Sequence, residues 1–237
     1  VTLAGVALLS WSESRAARAR RSYHGEPPAR ARGLILSLST FNGRDSTLTD
    51  HHALDDRLRA GALTAADEAE IARTNWGPLY VAARHHAPTL EHCWLLCSMG
   101  KKGSYEQLEV AERLIQQVVA AAGRGAVEVH PEPVADVSDP ARVAHLVDEI
   151  YDEAIRRFGL RPEEIVADIT GGTAAMSAGI TIAVLPENRR LQYLRQDVPL
   201  VVDGRLLSAE ELAKKKVLLE LQVDIGSFPK GVEKEVL

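Results

Sequence analysis

The sequence alternates between short apolar runs and longer segments with helical periodicity, and this alternation restricts the fold more than any other feature. Runs this short and continuous are typical of strands that are buried on both faces. Strands that alternate with helices form a mostly parallel sheet covered by helices on both sides. The sequence therefore predicts an α/β, Rossmann-like fold. The five runs are Gly33–Ser39, Glu91–Ser98, Ala126–His130, Glu164–Ile169 and Leu191–Arg195.

The segments between these runs predict the helices. The first connection, residues 50–87, is long, and breaks near Gly61 and Gly77 indicate two or three helices. Ser104 and Gln107 have the spacing of a capping box that opens a helix to about residue 122. Asp139-Pro140 is expected to start a helix that ends at Phe158. A further helix is expected over residues 174–185. It has almost no charge and is apolar all round, so we expect it to be buried.

The C-terminal part is less regular. Leu200–Leu207 predicts a β-hairpin, because an Asp-Gly pair stands at its centre. Ser208 and Glu211 have the spacing of a second capping box, which predicts a last helix. The segment Val217–Val223 fits either a continuation of that helix or a strand.

The N-terminal segment, residues 1–32, differs from the rest of the chain, which we take as a ligand-binding domain over residues 33–237. Its apolar run, Val1–Trp11, is followed by arginines and a linker rich in Pro and Gly. The run is shorter than the roughly 20 residues that span a bilayer, and its charges follow it, unlike those of a signal peptide. Two interpretations remain open: an amphipathic helix packed on the domain, or the end of a membrane helix whose upstream part is missing from a sequence that starts with valine.

Composition limits the function. The net charge of −5 and the aromatic fraction of 5% argue against direct DNA binding or a stacking platform for single strands. Cys93 and Cys97 lie too far apart on one strand to bond to each other, so we expect buried free thiols. The pairs His51-His52 and His85-His86 are expected on surface helices. We predict no metal site and no cofactor.

The loop Thr170-Gly171-Gly172-Thr173 follows the fourth strand and precedes the apolar helix. Its glycines allow the backbone to approach a ligand closely, and the first amides of the helix have no partner within the helix. Together with the helix dipole, these amides favour an anion such as phosphate, and the threonine hydroxyls add donors. No cationic side chain is needed. A tight turn that serves only packing is the alternative.

The segment Asp168–Met176 resembles the signature of the CARF family, the CRISPR-associated Rossmann-fold sensors, which is close to Asp-x-Thr-Gly-Gly-Thr-Lys-x-Met. The opening strand that runs into Ser39-Thr40 resembles the family's other, weaker motif, and the resemblance covers roughly residues 33–195. It implies a homodimer that binds a cyclic oligoadenylate across its twofold axis, with cyclic tetra-adenylate favoured. An isologous dimer offers the same loops to each half of such a ring. Asp168 is expected to hold the loop amides in place and not to contact the ligand itself.

The resemblance assigns most of the candidate ligand-binding residues by motif position. These residues are Ser39, Thr40, Phe41, Thr170, Gly171, Gly172, Thr173 and Met176. The loop after the second strand adds Ser98, Gly100 and Lys101, because the carboxyl ends of parallel strands share one edge of the sheet. We expect no catalytic residue.

The chain departs from the family pattern at Ala174, where the family has a lysine. In family members that cleave their ligand, a lysine in this region stabilises the charge that builds on the phosphate. We therefore favour a sensor in type III CRISPR antiviral defence that controls an effector. A metal-independent ring nuclease stays open as the alternative, with Lys101 or Lys102 in place of the family lysine. An unrelated Rossmann-like nucleotide enzyme is a third possibility. The expected location is the cytoplasm, or the inner face of the membrane if the N-terminal segment anchors a membrane-embedded effector.

Overall fold

The computed structural model describes residues 28–43, 46–186, 188–195, 201–202, 205–206 and 217–221. Its strands are β1 (Gly33–Leu38), β2 (His92–Ser98), β3 (Glu128–Val134), β4 (Ile165–Asp168), β5 (Arg190–Arg195), β6 (Val201–Val202), β7 (Arg205–Leu206) and β8 (Val217–Leu221). Its helices are α1 (His51–Ala60), α2 (Ala65–Arg73), α3 (Gly77–His86), α4 (Leu108–Ala121), α5 (Pro140–Phe158) and α6 (Ala174–Ala183). Short 3₁₀ turns at Ser104–Gln107 and Pro162–Glu164 lead into α4 and β4.

The main sheet has the strand order β3-β2-β1-β4-β5-β8. The pairs among β1 to β5 are all parallel, and β8 pairs with β5 in the antiparallel sense. The chain builds outward from β1 to β3 and then returns to place β4 on the other side of β1. This is the order of a Rossmann-like fold, and the predicted fold class is confirmed. The pair β6-β7 is antiparallel, which agrees with the predicted hairpin.

Alternate residues of the central strands feed two separate cores. On β1, Leu34 and Leu36 pack toward α1–α4, while Ile35 packs toward α5 and α6. Successive strand residues point to opposite faces, so strands covered on both sides are apolar throughout. Cys93 and Cys97 face the α1–α4 core as buried free thiols, as predicted. Burial raises the pKa of both thiols, which keeps them protonated and unreactive.

Strand β3 begins two residues later and ends four residues later than the predicted run Ala126–His130, and it continues through two prolines. Pro131 and Pro133 continue the parallel ladder with β2, opposite Leu95 and Cys97. A proline cannot donate a hydrogen bond, so it is tolerated on an edge strand where that donor would face away from the sheet. Within the described sheet β3 pairs with β2 only. The prolines therefore mark an edge and not the end of the strand.

Helix starts agree with the sequence in some places and differ in others. The first long connection forms three helices, and the side chain of Asp139 caps α5 as predicted. The capping box predicted at Ser104 is wrong, because the helix there begins as a 3₁₀ turn without a side-chain cap. The Ser104 hydroxyl instead accepts from the amide of Ser98, and the Gln107 side chain accepts from the amide of Phe41.

Helix α6 is less buried than its apolar sequence predicts. Met176, Gly179 and Ile180 are buried against α5 and the sheet. Ala178 lies on the outside, and Ile182 is 52% exposed. The helix thus presents an apolar outer face, and the prediction that it is buried all round is wrong for the single chain. The ambiguous segment near the C-terminus forms strand β8.

Several predicted features lie outside the described residues. They are the apolar run Val1–Trp11 with its arginines, the Asp203-Gly204 turn and the helix expected after Ser208. Residues from Pro28 to Arg32, at the end of the N-terminal segment, lie against the domain: the Pro28 carbonyl contacts His85, and Thr89 donates to the Ala31 carbonyl. Among the helices that the structure describes, none is both long and apolar enough to cross a bilayer.

Candidate ligand-binding site

The strand order reverses between β1 and β4, and a cleft opens where these two strands end. Open parallel sheets bind ligands at such a switch point, outside the carboxyl ends of the strands. The cleft lies between the loops that follow β1 and β4 and the start of α3. Its lining residues are Leu36, Ser37, Ser39, Asn75, Trp76, Pro78, Leu79, Asp168 and Gly171.

Asp168, the last residue of β4, braces the loop that follows it. One carboxylate oxygen accepts from the Thr170 amide at 2.7 Å, and the other accepts from the Gln192 side chain at 2.9 Å. Burial raises the pKa of Asp168, and these hydrogen bonds oppose the rise. The Thr170 hydroxyl accepts from the amide of Leu194 on β5 at 2.7 Å. Asp168 therefore supports the loop from below, which was the alternative role expected for it.

The two glycines of the loop lie directly against the end of β1. A Cβ on Gly171 would stand 2.7 Å from the carbonyl oxygen of Ser37, and one on Gly172 would stand 2.9 Å from the Ser37 Cβ. Gly172 also has a φ of +82°, a conformation that side chains disfavour. Only glycine fits at both positions, so packing alone already requires the Gly-Gly pair.

The start of α6 leaves backbone donors free. The amides of Gly171, Gly172, Ala174 and Ala175 have no hydrogen-bond partner within the described residues. The Thr173 hydroxyl accepts from the amide of Met176 and donates to the carbonyl of Val137 at 2.9 Å. Its proton is therefore occupied, and the expectation that both threonine hydroxyls are free donors is wrong for Thr173. The free amides and the helix dipole still form a site suited to an anion.

The loop after β1 is held by a residue from the helical connection. The Asn75 side chain donates to the Ser39 hydroxyl and the Thr40 carbonyl, and accepts from the amide of Asn42. Phe41 is buried with its ring edge-on to Trp76, at 5.1 Å between centroids. Of the three residues predicted here, Ser39 lines the cleft and Thr40 is exposed, whereas Phe41 supports them from the core.

The loop after β2 folds on itself and contacts the loop after β1. Ser98 and Ser104 exchange hydrogen bonds between their hydroxyls and amides, which closes the loop. Gly100 is exposed with a φ of +97°, and Lys101 is exposed. The Thr40 hydroxyl donates to the Lys102 carbonyl at 3.0 Å, so the two loops are joined. Lys101 and Lys102 are the cations of the loop after β2.

A buried polar relay runs from the loop to α3. Gln192, on β5, links the Asp168 carboxylate to His86, whose Nε2 lies 2.8 Å from the Gln192 side-chain oxygen. The Ala31 amide donates to Nδ1 of His86 at 3.0 Å. His86 is therefore neutral with its proton on Nε2, and burial lowers its pKa to about 4. The expectation that the His85-His86 pair lies on a helix surface is wrong for His86.

Sequence reasoning missed the residues that shape the cleft from outside the motif. Ser37 is buried beneath the glycines, and its hydroxyl has no hydrogen-bond partner among the described residues. Asn75 and Trp76 lie in a loop between two helices, and Trp76 donates from its ring to the Ser39 carbonyl at 2.7 Å. Their only sequence signal is the Asn-Trp-Gly-Pro turn at the break between helices. Met176 is buried below Gly172, so it packs the loop from beneath.

The cleft offers backbone donors and hydroxyls for binding, but few groups for catalysis or metal binding. Ala174, at the first position of α6, is exposed and brings no charge. Among its lining residues Asp168 is the one titratable side chain, and its carboxylate is occupied by Thr170 and Gln192. The arrangement can hold an anion and orient it.

The chain matches no protein-family model and no curated protein. Three solved structures are similar over part of their length. A type III CRISPR defence DNA nuclease activated by cyclic oligoadenylate shares 21% identity over 78% of this chain and 21% of that one, with a TM-score of 0.37. Can2 from Sulfobacillus thermosulfidooxidans, in complex with cyclic tetra-adenylate, shares 15% identity over 70% of this chain and 33% of that one, with a TM-score of 0.38.

Csm6 from Enterococcus italicus, bound to cyclic hexa-2'-fluoro-hexa-dAMP, shares 14% identity over 73% of this chain and 35% of that one, with a TM-score of 0.41. The chain thus spans between 21% and 35% of the length of these proteins. At such identities and TM-scores, the likenesses carry no argument about what this chain binds.

Proposed function

We propose that the domain is a CARF-type sensor that binds a cyclic oligoadenylate through the loop Thr170–Thr173. The observation that carries the proposal is the group of free amides at the start of α6, beside a switch-point cleft. These donors suit a phosphate, and the surrounding segment resembles the sensor signature. The three solved structures described above are proteins activated by or bound to ligands of this chemical class, but their similarity to this chain is too low to support the proposal.

The proposal includes a dimer in which two copies of the loop face one ring. A ring of four or six identical units has twofold symmetry, which an isologous dimer matches. The apolar outer face of α6, with Ala178 and the half-exposed Ile182, begins at the loop itself. A contact between two copies of this face would shield it from water and set the two loops on either side of the axis.

Binding without cleavage is the favoured activity. The position that carries a lysine in the related signature is the uncharged, exposed Ala174. Without a cation there, the loop stabilises bound phosphate but lacks a group aimed at the charge that builds during cleavage. The output of the sensor would then be an effector that responds to the bound state. An effector in the membrane, attached through the N-terminal segment, remains part of this proposal.

A charge series at Ala174 tests the proposal. Ala174→Glu places a negative charge at the start of α6. The helix dipole stabilises a negative charge there, so the variant should fold normally. A like charge within about 8 Å of a bound phosphate costs on the order of 2 kcal/mol, so affinity should fall at least about tenfold. Ala174→Lys should tighten binding instead. Calorimetric titration with cyclic tetra-adenylate and cyclic hexa-adenylate measures both effects.

The matched control is Ala66→Glu, which adds the same charge to the first turn of α2, away from the loop. Its affinity should equal that of the unmodified chain. Equal affinities for the Glu and Lys variants at position 174 would place the ligand elsewhere. Chromatography of the mixture afterwards shows the fate of the ring: an intact ring supports the sensor, and linear products would show a ring nuclease.

A further inference from the structure

Three side chains capable of binding a metal meet at the opposite edge of the sheet from the cleft. They are His92, the first residue of β2, and Glu128 and His130 on β3. The parallel register sets His92 beside Glu128 and Trp94 beside His130. Residues two apart on a strand share a face, so all three side chains lie on the α5 side of the sheet. Strand β2 separates this group from the loop after it by about 20 Å.

Two of the three distances between the ligand atoms are close to those around a tetrahedral ion. His92 Nδ1 lies 3.2 Å from His130 Nε2 and 3.6 Å from a Glu128 carboxylate oxygen. All the ligand atoms lie within 4.8 Å of one another. Ligands bound to zinc at about 2.0–2.2 Å in tetrahedral geometry are separated by about 3.3–3.5 Å. His92 and the other two side chains are therefore already close to the spacing that an ion requires.

Aromatic contacts hold both imidazole rings in place. The His92 ring stacks on Phe158, at the end of α5, with 4.1 Å between centroids. The His130 ring stacks on Trp94 at 5.0 Å. The two facing nitrogens are at hydrogen-bond distance, so the proton between them moves to the other nitrogen of its ring when both rings bind an ion. Rings that are already oriented lose little entropy when they bind an ion.

We propose that His92, Glu128 and His130 bind a divalent transition-metal ion, Zn²⁺ above all, with water at the fourth position. Two imidazoles and one carboxylate suit zinc, whereas Ca²⁺ and Mg²⁺ prefer sites made only of oxygen. The Glu128 side chain is 55% exposed, which leaves the fourth position open to solvent. The ion would join the edge strand β3 to β2 and stabilise the folded chain by its binding free energy. This site is independent of the proposed ligand at the cleft.

The test uses the full chain without an affinity tag, after treatment with a chelator. Co²⁺ is the spectroscopic probe, because four-coordinate Co²⁺ absorbs strongly in the visible range and six-coordinate Co²⁺ does not. We expect one such Co²⁺ per chain, displaced by Zn²⁺, and a midpoint of thermal unfolding that rises with Zn²⁺ concentration. A folded chain that shows no visible band and no stabilisation by Zn²⁺ would overturn the proposal.

Variants locate the ion. Glu128→Gln changes an exposed side chain and should weaken Zn²⁺ binding at least about tenfold, because even the loss of a hydrogen bond to a ligand has that effect. His92→Phe keeps a ring against Phe158 and should abolish the Co²⁺ band. The matched control is Glu149→Gln, beside His145 on the exposed face of α5, which should change nothing. If the Phe variant fails to fold, Glu128→Gln decides, and unchanged affinity there would refute the site.

Discussion

At the carboxyl edge of the sheet the groups available to a ligand come mostly from the backbone, whereas at the amino edge the polar groups are side chains. The carboxyl edge presents the amides of Gly171 and Gly172, and the Asp168 carboxylate beneath them is occupied by Thr170 and Gln192. The amino edge carries Arg32, which pairs with Glu91 at 2.6 Å, and the group formed by His92, Glu128 and His130.

The carboxyl edge would therefore bind a ligand through the conformation of its backbone, whereas the amino edge would bind one through charged and polar side chains. A loop of glycines holds an anion only while its backbone conformation is maintained, so the carboxyl edge depends on close packing and a buried relay. The amino edge depends on side chains that are partly exposed, where water screens each interaction. Substitutions should therefore have large effects on stability in the glycine loop and along the buried relay, which extends to His86, and small ones among the exposed side chains of the amino edge. Four predictions test this contrast.

The largest effect is expected at Gly172. A Cβ there meets Ser37 at 2.9 Å and requires a positive φ, so Gly172→Ala should lower the free energy of unfolding by about 2–4 kcal/mol. Urea denaturation measures the change. Gly125→Ala is the control, because a Cβ at that position meets nothing within 4 Å. Similar stabilities for the two variants would show that the loop is not packed as described.

The next effect concerns pH and His86. Burial lowers the pKa of His86 to about 4, while an unfolded histidine has a pKa of about 6.5. The unfolded chain binds more protons between these values, so stability should fall as pH falls from about 6.5 to about 4, by up to about 3 kcal/mol. His86→Gln should flatten this dependence in urea titrations at several pH values. His145→Gln, on an exposed face, should leave it unchanged, and equal slopes for all three chains would contradict the relay.

A smaller loss is expected from Asp168→Asn. The Asn carbonyl can still accept from the Thr170 amide, but its amide group then faces the amide of Gln192. If the Gln192 side chain rotates, its amide group faces the protonated Nε2 of His86 instead. That proton cannot move to Nδ1, because Nδ1 already accepts from the Ala31 amide. One buried donor stays unpaired, which costs about 1–3 kcal/mol. Thermal unfolding measures the loss, and an unchanged midpoint would contradict the hydrogen bond between Gln192 and Asp168.

The smallest effect is expected at the amino edge. Glu91 pairs with both Arg32 and Arg124 at 2.6 Å, and the hydrogen bond from Arg32 is the main cause that lowers the pKa of Glu91. Because these side chains are about a third exposed, Glu91→Gln should cost less than about 1 kcal/mol. The difference should shrink further at high salt. A loss as large as that at Gly172 would remove the contrast between the edges.

The sequence predicts features that are local along the chain. The strand runs, the switch-point loops and the Thr170–Thr173 loop all follow from patterns within a few residues, and the cap at Asp139 does as well. The two groups of residues that the sequence did not predict depend on contacts between distant parts of the chain. Gln192 and His86 are 106 residues apart, and His92 and His130 are 38 apart. Spacing along the chain carries no sign of such pairs, because the packing of α3 on the sheet brings the first pair together and strand pairing brings the second together.

Local patterns also fail where tertiary contacts compete. Ser104 and Gln107 have the spacing of a capping box, but Ser98 and Phe41 offer better partners once the strands align. Pro131 and Pro133 suggest the end of a strand, yet the edge of a sheet accommodates them. The apolar sequence of α6 indicates burial, but no described part of the single chain covers Ile182.

The proposed function requires the carboxyl edge to bind a cyclic oligoadenylate between two copies of the chain. Calorimetric titration of the unmodified chain with cyclic tetra-adenylate and cyclic hexa-adenylate, with the mass of the complex measured by light scattering, tests it most directly. We expect saturable binding of one of these rings, at one ring for two chains. The absence of heat with both rings, from a folded chain, would contradict it.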